Sequence, residues 1–374
     1  MDKQVALAHF YEHHFVPQLN HHLNELETVF HANKTRAMKD ITENFRNLCS
    51  HIQRMQQEEN KNPIAYIHYS LLRTQLLEQT YQYSVEAYDD VWYEDETDCV
   101  LSYDASWAYT PFAVMLEKLE RERKKYMGNL NASDIERLML QAAPFFHQFV
   151  LAALRLSIHE MVQLPEYQGF QKAPRLLIRC GEYMDLSENV YVEDQAVPSL
   201  EEVEQKLASW TENKAAEEEG GKIIYENFKN LALPELNVTA KDLRYNDFSG
   251  SQLTASRFLS CILAGTRWYQ ANLAGCSFEN CLITDADFSR SNLEGANFQG
   301  SSAKPVRENG NRTPGLCGTR FDYANLDGAN FEGVFLEKNT SFTGASMSAT
   351  RMPVQYQDQL KFTEVQLQGI QWIE

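Results

Sequence analysis

The chain has 374 residues, room for two ordinary domains or one large one and for a well-buried core. At 43% hydrophobic and 23% charged it excludes wholesale disorder. Its 34 basic against 52 acidic residues, a net charge of −18, exclude a protein built to coat nucleic acid. The most apolar stretch, Phe145–Ile158, is broken by His147, Gln148 and Arg155, so no membrane span is expected. The opening MDKQVALAHFYEHH lacks the apolar core of a secretion signal, and seven scattered cysteines point to reduced thiols and a cytoplasmic location.

In chain order, residues 3–32 and 34–58 pattern as two helices with a polar face, the first disturbed by Pro17. Pro63 opens a third over IAYIHYSLLRTQLLEQTYQYSVEAY, and Pro111 a fourth ending in the charged ERERKKY. Ser133 and Glu136 read as the capping box of a fifth, through RLMLQAAPFFHQFVLAALRLSIHEMVQL, with Pro144 near its first turns. Apolar nearly all round, that helix belongs at the centre of a bundle. Residues 174–194 alternate and contain Gly181, as a hairpin or extended excursion would. Ser199 and Glu202 box a further helix to Ala216, and ENKAAEEEGGK, residues 212–222, closes on a glycine pair. The expected layout is an acidic α-helical domain over 1–217, a linker at 218–222 and a second domain over 223–374. Charge follows this division: 14 basic and 16 acidic residues from Gly221 onward, 20 and 36 before it.

Three constellations in the first half bear on chemistry. His9 and His13 stand at helical i, i+4 spacing, as do His21 and Glu25, a pattern met in helical metal sites. No Glu-x-x-His motif accompanies them, and polar-face histidines are the ordinary reading. His147 and His159 lie twelve residues apart on the fifth helix, about 120° out of phase, and read as core histidines. Between Arg73 and Lys118 there is no Lys or Arg, while Glu86, Asp89, Asp90, Glu94, Asp95, Glu96, Asp98 and Asp104 alternate with Tyr88, Trp92, Tyr93, Tyr103 and Trp107. Charge runs are ordinarily solvated surface, but Trp and Tyr among acids suit an interface anchor for a basic protein partner. Tyr88, Trp92, Tyr93, Glu94, Asp95 and Glu96 are its candidate contacts. No D-x-D-x-D-G calcium loop, G-x-S-x-G elbow, phosphate loop, dinucleotide fingerprint or zinc-ligand pair occurs.

From Leu243 every fifth residue is large and apolar: Leu243, Phe248, Leu253, Phe258, Leu263, Trp268, Leu273, Phe278, Ile283, Phe288, Leu293 and Phe298. Two positions earlier the residue is small, from Ser251, Ser256 and Cys261 to Ala296, often with Asn or Asp between, as in ANL (271–273) and ADF (286–288). A period of five fits neither helix nor strand but suits a square coil, each unit forming one side and turning a corner. Twenty residues complete a coil, so Phe248, Trp268 and Phe288 stack on one face and Phe258, Phe278 and Phe298 on another. Ile223, Phe228, Leu233 and Val238 keep the register as an N-terminal cap. The pattern resumes with TRF (319–321), ANL (324–326), ANF (329–331) and VFL (334–336), slips by one residue near Glu337–Asn339, and runs on through TRM (350–352) to VQL (365–367) and IQW (370–372). Phe298 and Phe321 lie 23 apart, which reads as an 18-residue insertion, a surface loop at about 299–318. Its Lys304, Arg307 and Arg312 are candidate partner contacts. Cys261 and Cys281, one coil apart, read as packed thiols.

These units resemble the pentapeptide-repeat family, with consensus A(D/N)LXX. The resemblance implies a right-handed quadrilateral parallel β-helix for the C-terminal portion only. The expected function is a non-catalytic cytoplasmic interaction or scaffold protein, with a protein partner, no cofactor, no direct contact with nucleic acid and no membrane. The resemblance also brings an alternative. Some relatives imitate B-form DNA and modulate or protect DNA gyrase and other type II topoisomerases, although this rod is nearly neutral where mimicry needs an acidic face. A metal-dependent enzyme using His9, His13, His21 and Glu25 is a second alternative.

Overall fold

A long helical run starts the chain, because residues 3–58 carry an apolar stripe and no effective stop. The computed structural model describes residues 2–58, 61–195, 224–305, 307–308, 311–312 and 315–374. The chain divides into two compact units, residues 1–195 and 196–374, each taken here by itself. The expected helix to Ala216 and the linker at 218–222 lie outside the described residues.

In the first unit α1 (Lys3–Phe10) passes through a π turn, Tyr11–Phe15, into α2 (Val16–Glu58) without a break. The expected boundary at Asn33 is absent, because its side chain bonds the Val29 carbonyl at 3.0 Å and leaves the helix intact. The disturbance expected at Pro17 appears as the wider turn just before it, which accommodates the missing N–H. The largest correction follows. Residues 64–88 form not one helix but β1 (Ile64–Leu71), a short α3 (Arg73–Leu77) and β2 (Gln82–Tyr88). Ile67, Tyr69 and Leu71, like Tyr83, Val85 and Ala87, recur at every second residue, and Gln79 and Tyr81 turn the chain with positive φ. β3 (Val100–Asp104) follows and leads into α4 (Ser106–Arg123). Asp104 accepts from the Ser106 N–H at 2.9 Å, so α4 starts ahead of Pro111 rather than at it.

α5 (Ala132–Met161) is capped by Asn131 and Asp134, two residues before the expected box: the Asp134 N–H donates to Asn131 Oδ1 at 3.0 Å and the Asn131 N–H to Asp134 Oδ2 at 2.9 Å. After α6 (Pro165–Gln168), β4 (Lys172–Glu182) and β5 (Ser187–Asp194) form the expected hairpin. The five strands make one mixed sheet in the order β3-β2-β1-β4-β5, with β1 and β4 parallel and the other pairs antiparallel. The unit is therefore α+β, not a helical bundle. α5 is central as expected, but it packs on the sheet: His147 Nδ1 meets the Tyr83 hydroxyl at 2.8 Å. Among the described residues no helix is long and apolar enough to cross a membrane.

The second unit is the expected four-sided coil. Parallel bridges join Asp247 to Arg267, Gln252 to Asn272, Arg257 to Ser277 and Ile262 to Leu282, each twenty residues apart. Asn227–Asp247 and Ala232–Gln252 extend it backward, and β6 (Asn237–Thr239) pairs in parallel with β7 (Arg257–Leu259), so Phe228, Leu233 and Val238 of the expected cap form coil units, while Ile223 lies outside the described residues. Across the insertion the spacing becomes 33, as in Asp287–Arg320 and Ser302–Phe335. The insertion therefore measures 13 residues, not 18. Ser301–Ala303 is itself a coil unit, bridged to Leu282, that escapes the large-residue count because its centre is Ala303. Within the loop, β8 (Arg307–Glu308) and β9 (Asn311–Arg312) pair antiparallel. The slip near Glu337–Asn339 is real: Arg320 bridges Ser341 at a spacing of 21. β10 (Arg351–Pro353) pairs with β11 (Gln371–Ile373), which keeps Met352 opposite Trp372. VQL does not form a coil unit. It lies in α7 (Glu364–Gly369), capped by Thr363 and Gln366.

Inside, Phe228, Phe248, Trp268, Phe288, Phe321 and Phe342 form one column with ring centres 4.3 to 5.8 Å apart. Phe258, Phe278, Phe298 and Phe331 form the next. Many corners close with a bond such as Ser251 N–H to the Phe248 carbonyl, with positive φ at the residue before it, here Gly250.

Candidate interaction groove

The acidic, aromatic stretch of the first unit is split by the fold. Its β2–β3 loop folds over the sheet face turned away from α5. Trp92 stacks on Tyr66 with ring centres 4.6 Å apart, lies 5.5 Å from His68, and has the Arg179 guanidinium over it at 5.2 Å. Tyr93 lies 5.3 Å from Tyr88. The loop is tied from within. Asp89 accepts from the Val91 N–H at 3.0 Å and from Asn62 at 2.8 Å, and Asp95 accepts from the N–H groups of Asp89 and Thr97, each at 2.9 Å. Lys61 pairs with Asp95 at 2.5 Å, both side chains out of water. Burial works to raise the Asp95 carboxyl, but Lys61 and the two N–H donors hold it below the usual carboxylate range. The open patch expected here needs correction: Asp95 is consumed by Lys61, and Tyr88 and Trp92 are half-buried ring packing. Tyr93, Glu94 and Glu96 stay exposed.

Tyr103, Asp104 and Trp107 go the other way, to a groove of about 840 Å³ against α2. Its floor is Leu26, Phe30, Ala37, Tyr103, Trp107 and Pro111. Trp107 stacks on Phe30 with ring centres 5.9 Å apart and donates from Nε1 to the Tyr103 hydroxyl at 2.9 Å, which fixes the indole. The rim carries Glu25, Asp40, Glu43 and Asp104 against Arg36. Asp40 and Glu43 lie beside Arg36 and Arg46. Glu25 meets His22 at 3.2 Å; burial and Lys118 lower the pKa of that ring, against the opposing pull of Glu25. Val29 adds an apolar side chain 47% exposed at the rim. One helix supplies this wall because 25, 29, 33, 36, 40, 43 and 47 advance by three and four residues and fall on one face. Sequence reasoning missed that wall. Its available signal was the exposed acid-and-valine stripe of α2, continuing for about 33 Å at 1.5 Å per residue.

The histidine constellation is not assembled. His9 stacks on His13 at 4.1 Å and bonds Tyr126, whereas His21 and Glu25 group with His22. Among the described residues that trio is the one set of possible metal ligands, and Lys118 Nζ stands 3.3 Å from His22 Nε2, where it repels a cation. His147 is a core histidine bonded to Tyr83. In the second unit, Lys304 lies over the Phe335 ring at 4.4 Å, and Asp285 holds the returning stem by the N–H groups of Gly315 and Gly318 at 2.6 and 2.7 Å. Arg307 and Arg312 face each other in the β8–β9 backbone register. All seven cysteines are buried thiols without a disulfide.

Residues 261–300 match the family profile described as pentapeptide repeats, in eight copies. A pentapeptide repeat protein from the cyanobacterium Cyanothece 51142 is similar at 22% identity over 37% of this chain and 90% of that one, with a TM-score of 0.17. A pentapeptide repeat protein of the Arabidopsis thaliana thylakoid lumen is 20% identical over 39% of this chain and 70% of its own, with a TM-score of 0.17. QnrB1, a plasmid-mediated fluoroquinolone resistance protein, is 16% identical over 40% and 86%, with a TM-score of 0.23. A comparison with curated proteins gave no match. The eight matched units cover two full coils of the rod described above: residues 261–300 carry pentapeptide repeats, and the parallel bridges extend the same four-sided β-helix to either side of them in the C-terminal part.

Proposed function

We propose that this is a non-catalytic cytoplasmic interaction protein, in which the β-helix is a stiff support and the first unit carries the partner-binding site. The observation that supports the reading is the acid-rimmed, apolar-floored groove between α2 and α4, whereas the interior of the rod is filled by its own side chains. A fixed, half-buried Trp107 with the exposed Val29 nearby, above side chains that are themselves buried, has the make-up of an interface anchor. Tyr93, Glu94, Glu96 and Lys304 are not among the residues lining this groove, and this reading gives them no contact with the partner. Affinity capture with the full chain tests it. Wild type is expected to retain a protein partner that Val29→Arg loses and Glu94→Gln keeps. Equal retention by all three overturns the groove as the site. The near-neutral balance of the second half, 14 basic and 16 acidic residues from Gly221 onward, counts against the DNA-mimic alternative, and unchanged gyrase supercoiling at micromolar protein, with and without quinolone, is its simplest exclusion.

A further inference from the structure

We propose that the sheet face beneath the β2–β3 loop binds a small zwitterion, an amino acid whose ammonium and carboxylate lie about one strand spacing apart. The starting point is a row of side chains in register on three adjacent strands. His68 on β1 stands opposite Glu86 on β2 and opposite Arg179 on β4, so the three share the face turned away from α5. His68 is 3% exposed and Glu86 6%. Yet His68 Nε2 and Glu86 Oε2 have no hydrogen-bond partner among the described residues, nor do Arg179 Nε and Trp92 Nε1 beside them. Native interiors leave few buried polar atoms unpaired, and four in one cluster call for an occupant.

The four atoms sort by chemistry. Three are donors on neighbouring groups: the Trp92 indole N–H, the Arg179 Nε–H and, in its Nε2–H tautomer, the His68 ring. The Trp92 ring lies 5.5 Å from His68 and 5.2 Å from the Arg179 guanidinium, whose Nη2 already donates to the Ser187 carbonyl at 3.2 Å. Three donors lacking an acceptor suit a carboxylate. The fourth atom is an acceptor, Glu86 Oε2, next to Tyr88 and Tyr183. Tyr93 joins these rings, 5.3 Å from Tyr88 at 70° and 6.4 Å from Tyr183 at 73°. An acid beside tilted tyrosine rings suits an ammonium. Burial raises the Glu86 carboxyl against the hydroxyls of Ser84, Tyr88 and Ser70, the state of an acid without a counter-cation. Charge disfavours a simple ion of either sign. A lone anion at the donors meets Glu86 one strand away, and a lone cation at Glu86 meets Arg179 two strands away. A molecule carrying both charges about 5 Å apart, the spacing of the β1–β2 pair, satisfies both ends. Trp92, at φ +59°, covers the row, so the ligand enters as the loop lifts.

Isothermal titration calorimetry on the full chain tests this with glycine, β-alanine and 4-aminobutanoate, against butanoate and butylamine as single-charge controls. At least one zwitterion is expected to bind about tenfold or more tightly than either control, and Glu86→Gln and Arg179→Gln each to weaken it about tenfold or more. Glu86→Gln keeps the side-chain shape, and Arg179 is half-buried, so a melting scan without ligand identifies whichever variant is folded for the comparison. Glu25→Gln, which removes one negative charge in the α2–α4 groove, is expected to leave binding unchanged. Butanoate binding as tightly as the zwitterions makes the donors a plain anion site and overturns the inference. Absence of binding by all three zwitterions at millimolar concentration, which leaves the row to ordered water, overturns it too, as does unchanged affinity in a folded Glu86→Gln or Arg179→Gln variant.

Discussion

His147 shows how one side chain couples the core of the first unit to solution conditions. It is enclosed by α5 and the sheet, bonded to Tyr83 at 2.8 Å and with Cys180 Sγ 3.9 Å from Nε2. Burial lowers its pKa from 6.5 to about 4; His68, buried and beside Arg179, is lowered to about 4 as well. Both rings fold neutral. Above pH 6.5 neither state is protonated and the two residues leave stability flat. As pH falls from 6.5 toward 4 the unfolded chain takes up protons that the folded chain refuses, and stability drops by up to about 1.4 kcal/mol per pH unit for each ring. Melting temperature followed from pH 7 to about pH 5, above the range where most carboxylates titrate, is expected to fall, and His147→Gln to flatten the decline. A level wild-type profile, or an unchanged slope in the variant, contradicts the assignment.

At the scale of the element, the aromatic columns of the β-helix explain which substitutions a coil tolerates. The small inward position holds Ser, Thr, Cys or Ala because the interior is narrow, and its hydroxyls and thiols find backbone carbonyls: Ser251 donates to Phe228 at 2.7 Å, Cys276 to Leu253 at 2.8 Å, Ser291 to Phe288 at 2.7 Å. Trp268 alone brings an extra donor into its column, and Thr266 takes that N–H at 2.8 Å. Thr266→Ala leaves a buried indole N–H unmatched and is expected to cost about 1–3 kcal/mol in urea unfolding, with Thr266→Ser close to wild type. Equal stability of the two variants contradicts the pairing. The rod was legible in sequence because its period acts through position alone: any large residue at the centre and any small one two before it give the same coil. Ala303 escaped because the reading counted size, whereas the backbone bridge to Leu282 needs none. The first unit was less legible. Ile64–Tyr88 was taken for a helix since Leu72, Leu76 and Leu77 blur the alternation of the flanking strands. The loop around Trp92 was misread because the cation answering Asp95 is Lys61, on a segment outside the basic-free stretch.

For the whole molecule, function follows from where openness is left. The rod interior is a continuous stack of rings and small side chains, and its outer charges alternate, as Asp247, Arg267, Asp287 and Arg320 do along one edge. Tyr103 and Trp107 stand in the acid-aromatic stretch of the sequence but outside its candidate contacts, and Leu26, Val29 and Phe30 lie outside it altogether, since only the fold brings α2 alongside. The central claim is that a protein partner sits in this groove. The most direct measurement places a photo-crosslinking residue in turn at Val29, at Glu94 and at Tyr323 on the rod, in the full chain in lysate. The account predicts a discrete protein adduct from position 29 and none from 323. An adduct formed from 94 or 323, with none from 29, contradicts it.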